Sequence, residues 1–223
     1  RQRVEQEAAA AGQSRVTLAL VKAAQARYLA GMAKEVRGYQ IDQCFGPRGC
    51  PHRASPGDRL LVRIRDLLEA ADLLGFLRRT VEGELKFHHE FRISLADCPN
   101  ACSQPQIKDI GIIGACGPVV AEATACTQCG ACVDACREGA VRLDPDSPGP
   151  LIDMSACLLC GRCPAACPTE CLAPEARVFR VQLGGKLGRH PRLARELPGV
   201  YDEEAVLARS EERRVGKECR SRW

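Results

Sequence analysis

Cys126-Thr-Gln-Cys129-Gly-Ala-Cys132-Val-Asp-Ala-Cys136 and, farther along, Cys157-Leu-Leu-Cys160-Gly-Arg-Cys163-Pro-Ala-Ala-Cys167-Pro168 carry one cysteine spacing twice. In each run three thiols recur at every third position, and the last follows after three intervening residues. Three thiolates so spaced wrap one face of a small cube, and a further one from a distant turn closes it, which is the spacing that holds a 4Fe-4S cluster. The alternative is a zinc ribbon, because Cys-x2-Cys pairs also bind tetrahedral zinc. Zinc asks for two pairs, whereas each run here has three evenly spaced cysteines and a separate last one, so the cluster reading fits better.

On these residues the stretch resembles a bacterial two-cluster ferredoxin. In that arrangement the last cysteine of each run ligates the other cluster. The resemblance therefore implies that Cys126, Cys129, Cys132 and Cys167 hold one cluster and that Cys157, Cys160, Cys163 and Cys136 hold the other. Pro168 follows Cys167 as in the ferredoxin pattern, but Arg137 stands after Cys136 where that pattern often has proline. The change touches the turn more than the ligation, and a positive charge beside a cluster is one lever that raises its potential.

The chain has 223 residues, of which 45% are hydrophobic, enough for one or two domains with cores of their own. Fifteen cysteines in a small secreted protein would suggest disulfides. Their spacing is that of metal ligands, which must stay reduced, and this places the chain in the cytoplasm. No apolar run is long enough to span a bilayer, and the charged, alanine-rich start is not a signal peptide. Arg1 in place of methionine leads to the expectation of a fragment that has lost its natural beginning. At the other end, residues 209–223 resemble a tail found on unrelated translated sequencing contigs, and they are set aside as artefactual, with a solvated natural extension as the alternative. Cys219 goes with that tail. Its six basic residues against three acidic ones supply +3 of the formal +4, and the remainder gives no argument for a nucleic-acid partner.

Before the quoted stretch the sequence reads as helices, strands and a second set of cysteines. An alanine- and glutamate-rich run over 3–11 breaks at Gly12, and Ser14 or Thr17 caps a second helix with Val16, Leu20, Val21, Ala24, Tyr28, Leu29 and Met32 at helical spacing, ending at Gly38. This pair resembles the small C-terminal domain of the light-independent protochlorophyllide reductase B subunit; an amphipathic hairpin that packs on the next domain is the plainer alternative. Cys44-Phe-Gly-Pro-Arg-Gly-Cys50 lies in a Gly- and Pro-rich loop. A helix follows from about Asp58 to Arg79, then a strand over 85–95 around Phe87, Phe91, Ile93 and Leu95, and a short buried strand around Ile110, Ile112 and Ile113.

Cys44-x5-Cys50 with Cys98-x3-Cys102, inside Phe91-Arg-Ile-Ser-Leu-Ala-Asp-Cys-Pro-Asn-Ala-Cys-Ser-Gln-Pro-Gln-Ile-Lys-Asp-Ile-Gly, resembles the nitrite and sulfite reductase family. The resemblance implies a third 4Fe-4S cluster on Cys44, Cys50, Cys98 and Cys102, with Cys102 also bridging to the iron of a siroheme. Two structural or zinc-binding cysteine pairs are the alternative. After the ferredoxin-like stretch, Val178-Phe-Arg-Val-Gln-Leu-Gly-Gly-Lys-Leu-Gly-Arg-His-Pro-Arg192 is similar to the segment that follows an inserted ferredoxin module in dissimilatory-type sulfite reductases. Residues 180–183 read as a strand, the glycines allow backbone to approach a ligand, and Lys186, Arg189 and Arg192 become candidates for siroheme carboxylates. A basic surface turn is the alternative. In the family, the strand entering the second cluster loop carries two lysines that bind the anionic substrate; the matching positions here are Glu90 and Arg92. Arg92 and Lys186 are thus the candidate catalytic cations, Glu90 opposes an anion unless protonated or turned away, and His88 and His89 are candidate proton donors.

The sequence therefore specifies an α+β protein. A helical segment over 1–38 precedes a reductase-like domain formed by 39–120 and 177–208, interrupted by a two-cluster ferredoxin insert over 121–176. Two function classes follow. One is an electron-transfer oxidoreductase component with three 4Fe-4S clusters and a redox partner protein or reductase subunit. The other is a siroheme-containing sulfite or nitrite reductase, or a subunit of one, acting on a small inorganic anion. Cys116 and Cys171 fit no spacing and read as small buried residues, and His52 and His190 read as neighbours of motifs rather than ligands.

Overall fold

A computed structural model describes residues 35–219, with side chains through Glu212. The expected helical segment over 1–38 lies almost wholly outside the described residues. The chain falls into two units, residues 1–36 with 86–88 and residues 37–85 with 89–223. In the described part of the first, the rings of Phe87 and His88 meet edge to face with centroids 5.8 Å apart.

The second unit is built on a sheet. Strand β1 (Tyr39–Gln43) is followed by helices α1 (Asp58–Glu69) and α2 (Leu73–Thr80), then by β2 (Phe91–Ala96) and β3 (Ile110–Val120). Strands β1, β2 and β3 lie side by side and parallel. The apolar stripe of α1 dictates where that helix sits: Leu60, Leu61, Ile64 and Leu68 are buried, and they pack in one core with Phe91, Ile93 and Leu95 of β2 and Ile110 and Ile112 of β3. Each such side chain removed from water contributes about 1.5–3 kcal/mol.

Sequence periodicity suggests one helix to Arg79, but the helix breaks after Glu69. Asp72 adopts a left-handed conformation, φ 43°, and its side chain accepts a hydrogen bond from Gly75 N. Aspartate competes well for such a cap, so a new helix starts there. The strand expected over 85–95 begins only at Phe91. Residues 87–89 form a short 3-10 turn instead. Phe87 is 62% exposed, so its apolar side chain contributes nothing to the alternation that a strand needs.

Strand β3 is far longer than its three isoleucines suggest, and nine of its eleven residues are buried in succession. Its antiparallel partner, named β6 below, pairs with it from Ile110↔Leu183 out to Val120↔Leu172, with a register shift between Cys116 and Pro118. Proline has no N–H for the ladder, which is why the pairing slips there.

The two-run cysteine segment hangs from the end of this ribbon. It contains α3 (Ala131–Ala135), the short strands β4 (Val141–Arg142) and β5 (Leu151–Ile152), which pair with each other, and α4 (Arg162–Ala166). The sheet takes the chain back in β6 (Leu172–Leu183). It continues through β7 (Arg195–Glu196), giving the order β1-β2-β3-β6-β7. The last helix, α5 (Glu203–Cys219), runs through the segment set aside as a tail; in it Val206 is fully buried in the main core and Ser210 is 1% exposed. Among the described residues no helix is long and apolar enough to cross a membrane.

Candidate iron-sulfur centres

The two cysteine runs fold as near copies. In each, the second residue after the leading cysteine has a positive φ although it is not glycine: Gln128 at 53° and Leu159 at 57°. A glycine with positive φ follows the next cysteine, Gly130 at 82° and Gly161 at 72°. These left-handed residues reverse the chain so that successive thiols turn inward, and the strain of a non-glycine there marks a loop held for a purpose. A single helical turn then buries Cys132 in one copy and Cys163 in the other.

Cys126, Cys129, Cys132 and Cys167 line one cavity together. That is the set, including the crossed-over Cys167, which the ferredoxin resemblance implies. Cys136, Cys157, Cys160 and Cys163 line a different cavity of about 400 Å³. Cys50, Cys98 and Cys102 line that same cavity. Cys44 does not line it, and its sulfur accepts hydrogen bonds from Gly46 N at 3.4 Å and Asp97 N at 3.3 Å. Among the described residues no three His, Cys, Asp or Glu side chains converge as ligands of one metal ion.

The thiols are chemically suited to iron. Burial pushes Cys163 up to about 12, with Cys157 and Cys160 adding to the effect. Burial likewise raises Cys132, Cys157 and Cys98. Crowded thiols in an apolar cavity become thiolates only when positive charge replaces the lost water, and a coordinating metal supplies it. Backbone N–H groups already point at the sulfurs, from Ala140 to Cys136 at 3.3 Å, from Leu159 to Cys157 at 3.4 Å and from Leu172 to Cys167 at 3.5 Å. The last of these, its largest cause, lowers Cys167. Thiols gathered in this way are the donor type that iron–sulfur clusters take.

The two cysteines without a spacing are buried, Cys116 5% exposed and Cys171 1%. Neither is remote from the runs. Cys171 lines the first cavity, and its thiol, pushed up to about 11 by burial and by neighbouring Cys126, hydrogen-bonds with Cys126. Cys116 forms a parallel bridge with Cys160, and its N–H donates to Leu159 O at 2.7 Å. Reading the spacing alone misses both neighbours, because the contacts come from the β3–β6 ribbon.

The candidate cations stand elsewhere. Arg92 is half-buried on β2, and its N–H donates to Asp109 Oδ2 at 2.9 Å. Lys186, Arg189 and Arg192 are exposed on a turn closed by reciprocal backbone bonds between Lys186 and Arg192, 2.9 Å each. Arg192 Nε also donates to Gly184 O at 2.7 Å. None of these residues lines either cysteine cavity. Gly185 does permit a close approach, but to protein: a Cβ there would lie 2.5 Å from Gln106 O and 2.8 Å from Lys108 N.

Glu90, which opposes an anion in the sequence reading, is 4% exposed and turned into the fold. Its carboxylate accepts from Arg37 N at 2.6 Å and from the Gln40 amide. His52 lines the larger cavity. Sequence reasoning also misses Asp97, a buried carboxylate beside Cys98; an aspartate adjoining a ligand cysteine is the signal that could have drawn notice.

Residues 58–212 match the nitrite and sulphite reductase 4Fe-4S domain family. A coenzyme F420-dependent sulfite reductase of Methanocaldococcus jannaschii is 37% identical over 70 residues, which cover 30% of this chain and 11% of that protein. A ferredoxin–nitrite reductase of Leptolyngbya laminosa is 42% identical over 48 residues, 22% of this chain and 9% of that protein. Among solved structures, a dissimilatory sulfite reductase I aligns with a TM-score of 0.44 at 16% identity, over 77% of this chain and 43% of that one. The NirA protein of Mycobacterium tuberculosis aligns with a TM-score of 0.38 at 16% identity, over 75% and 20%. The chain thus spans only a minor part of each of these proteins.

Proposed function

The chain belongs to the nitrite and sulphite reductase 4Fe-4S domain family, and from that premise we propose that it is an electron-transfer component of a sulfite- or nitrite-reductase-type system, holding three 4Fe-4S clusters. Cys126, Cys129, Cys132 and Cys167 hold the first, Cys136, Cys157, Cys160 and Cys163 the second, and Cys44, Cys50, Cys98 and Cys102 the third. Bound clusters of this kind supply one-electron storage and transfer.

The observation that carries the proposal is the shared cavity, lined by the second thiol set together with Cys50, Cys98 and Cys102. The chain's own work is to keep those thiol sets together. Cys116 N–H holds Leu159 O at 2.7 Å, and Arg180 Nη1 donates to Leu158 O at 3.5 Å while its other nitrogens grip Glu196. The insert's loop is thereby pinned to the same sheet that carries the third thiol set. Thiol ligands must stay reduced, which favours the cytoplasm. The partner is a redox protein or a reductase subunit that completes the system.

A second reading is a siroheme-containing reductase or subunit acting on sulfite or nitrite, the anions in the names of the two relatives. One observation favours it: Cys102, the residue matching the family's bridging ligand, is exposed while Cys44, Cys50 and Cys98 are half-buried. In this reading Lys186, Arg189 and Arg192 bind siroheme carboxylates, and Arg92 with Lys186 meets the anion. The position of these cations outside the cavities weighs toward the first reading. Anaerobic purification followed by iron and sulfide quantification and an absorption spectrum tests both. About twelve irons without tetrapyrrole bands supports the electron carrier, about thirteen with siroheme bands, the extra one being the siroheme iron, supports the reductase, and about eight refutes the third cluster.

A further inference from the structure

Asp97 is 1% exposed, and it sits where two ligand-bearing loops meet. Its Oδ2 accepts from Arg53 Nε at 2.6 Å and its Oδ1 from Gly57 N at 3.1 Å. Its main chain does as much. Asp97 O accepts from Ala54 N at 2.9 Å and Ser55 N at 3.1 Å, while Asp97 N donates to Cys44 Sγ at 3.3 Å. The loop that supplies Cys44 and Cys50 is thus fastened along residues 53–57 to the residue immediately before Cys98.

We propose that Asp97, paired with Arg53, is a positioning residue that aligns the two cysteine pairs of the third cluster site. The proposal rests on the reading that Cys44, Cys50, Cys98 and Cys102 hold a cluster. A buried carboxylate destabilises a fold unless it is paired and fully hydrogen-bonded. Asp97 meets that condition by drawing on both sides of the site, so its satisfaction and the loop alignment are one arrangement. Arg53 extends it, because its Nη2 donates to Asp58 at the start of α1. The carboxylate also sets the path of the Cys44 loop: a Cβ on Gly46 would lie 2.3 Å from Asp97 Oδ2, so only glycine passes there. No sulfur touches the Asp97 side chain among its hydrogen bonds, hence replacing it leaves every ligand in the chain while freeing the loops that carry them.

The test uses the full chain, purified anaerobically as wild type, Asp97→Ala, Arg53→Ala and Arg53→Lys. Iron release to a chelator and the EPR spectra of the reduced proteins are recorded. Groups that orient metal ligands typically change metal affinity about 10–100-fold. The proposal predicts that in Asp97→Ala and Arg53→Ala about one third of the iron leaves at least about tenfold faster, with loss of one EPR component, while the rest leaves at the wild-type rate. Arg53→Lys, which keeps a cation for the carboxylate, restores most of that third. Arg53→Ala carries the test if Asp97→Ala does not fold, because the Arg53 side chain is itself partly exposed. Unchanged release in both alanine variants, or equal acceleration of all the iron, overturns the proposal. A wild-type content of about eight irons overturns instead the three-cluster reading on which it rests.

Discussion

Gly114→Ala tests whether β3 lies directly against the turn that launches Cys98. Gly114 is buried in β3, and a Cβ built on it would lie 2.5 Å from Asp97 O and 2.6 Å from Ser55 O, where ordinary contact begins near 3.4 Å. Both neighbours are backbone, and Asp97 O is already held by Ala54 N and Ser55 N. Neither can swing aside, so the strand or the turn must move by most of an ångström. Overpacking of this kind costs about 1–3 kcal/mol, and a clash with fixed backbone belongs at the upper end. Alanine returns about 0.5–1 kcal/mol because glycine loses more freedom on folding. The net loss is about 2 kcal/mol, which for a chain of this length lowers Tm by about 4–8 °C. Anaerobic thermal unfolding followed by far-UV circular dichroism reads the shift, and iron analysis shows whether the strain reaches the Cys98 loop. Gly188→Ala is the control, since nothing lies within 4 Å of its Cβ. A Gly114→Ala protein that melts with wild type and keeps all its iron would refute the packing argument.

The crossed ligand sets make a sharper forecast than iron loss alone. Cys136→Ala should remove the same EPR component as Cys157→Ala, and Cys167→Ala the same as Cys126→Ala, because the cavities group the thiols that way; pairing within each run would refute it. Asp72→Ala should lower stability by about 2 kcal/mol, from the lost cap at the start of α2 and the left-handed backbone it leaves to alanine, whereas Asp72→Asn should stay within about 0.5 kcal/mol; chemical denaturation distinguishes them. Glu196 provides a pH test. Burial works to raise it, but hydrogen bonds from Arg180 and Gln182 outweigh burial and hold it below the ordinary carboxylate value. A depressed carboxylate stabilises above its unfolded pKa and loses that contribution as pH falls through its folded one. Stability should therefore decline on acidification below the ordinary carboxylate range, with a smaller decline in Glu196→Gln; equal declines would count against the pair.

What could be read from sequence depended on how far apart the cooperating residues lie. The two cysteine runs and the buried stripe of α1 are patterns within one or two turns of chain, and local spacing determines which side chains share a face. The break at Asp72 is equally local, but an uninterrupted leucine pattern masks it. Asp97 belongs to another kind. Its partners lie 44 and 40 positions earlier, at Arg53 and Gly57, so no window of sequence contains the arrangement. Glu90 illustrates the reverse error. Alignment to a substrate-binding position gives it a charge that opposes an anion, yet the Arg37 backbone N–H and the Gln40 amide hydrogen-bond that carboxylate inside the fold.

The same distinction bears on the choice between carrier and reductase. Cysteine spacing groups the thiols within each run, but the relation between separate thiol sets comes from the long β3–β6 ribbon, which neither run encodes. That ribbon sets Cys116 beside Cys160 and carries the insert's thiols to a cavity shared with Cys50, Cys98 and Cys102. It also ends at a turn where Lys186, Arg189 and Arg192 face solvent. Electron transfer needs only the thiol sets close together, whereas anion reduction needs cations gathered at the open face of the third set. The shared cavity brings the thiol sets together, and the cations that line it are Arg137 and Arg162 rather than Lys186, Arg189 or Arg192. Siroheme content is consequently the discriminating quantity: substitution of Lys186 or Arg192 should leave the iron content of a carrier unchanged and lower the siroheme content of a reductase.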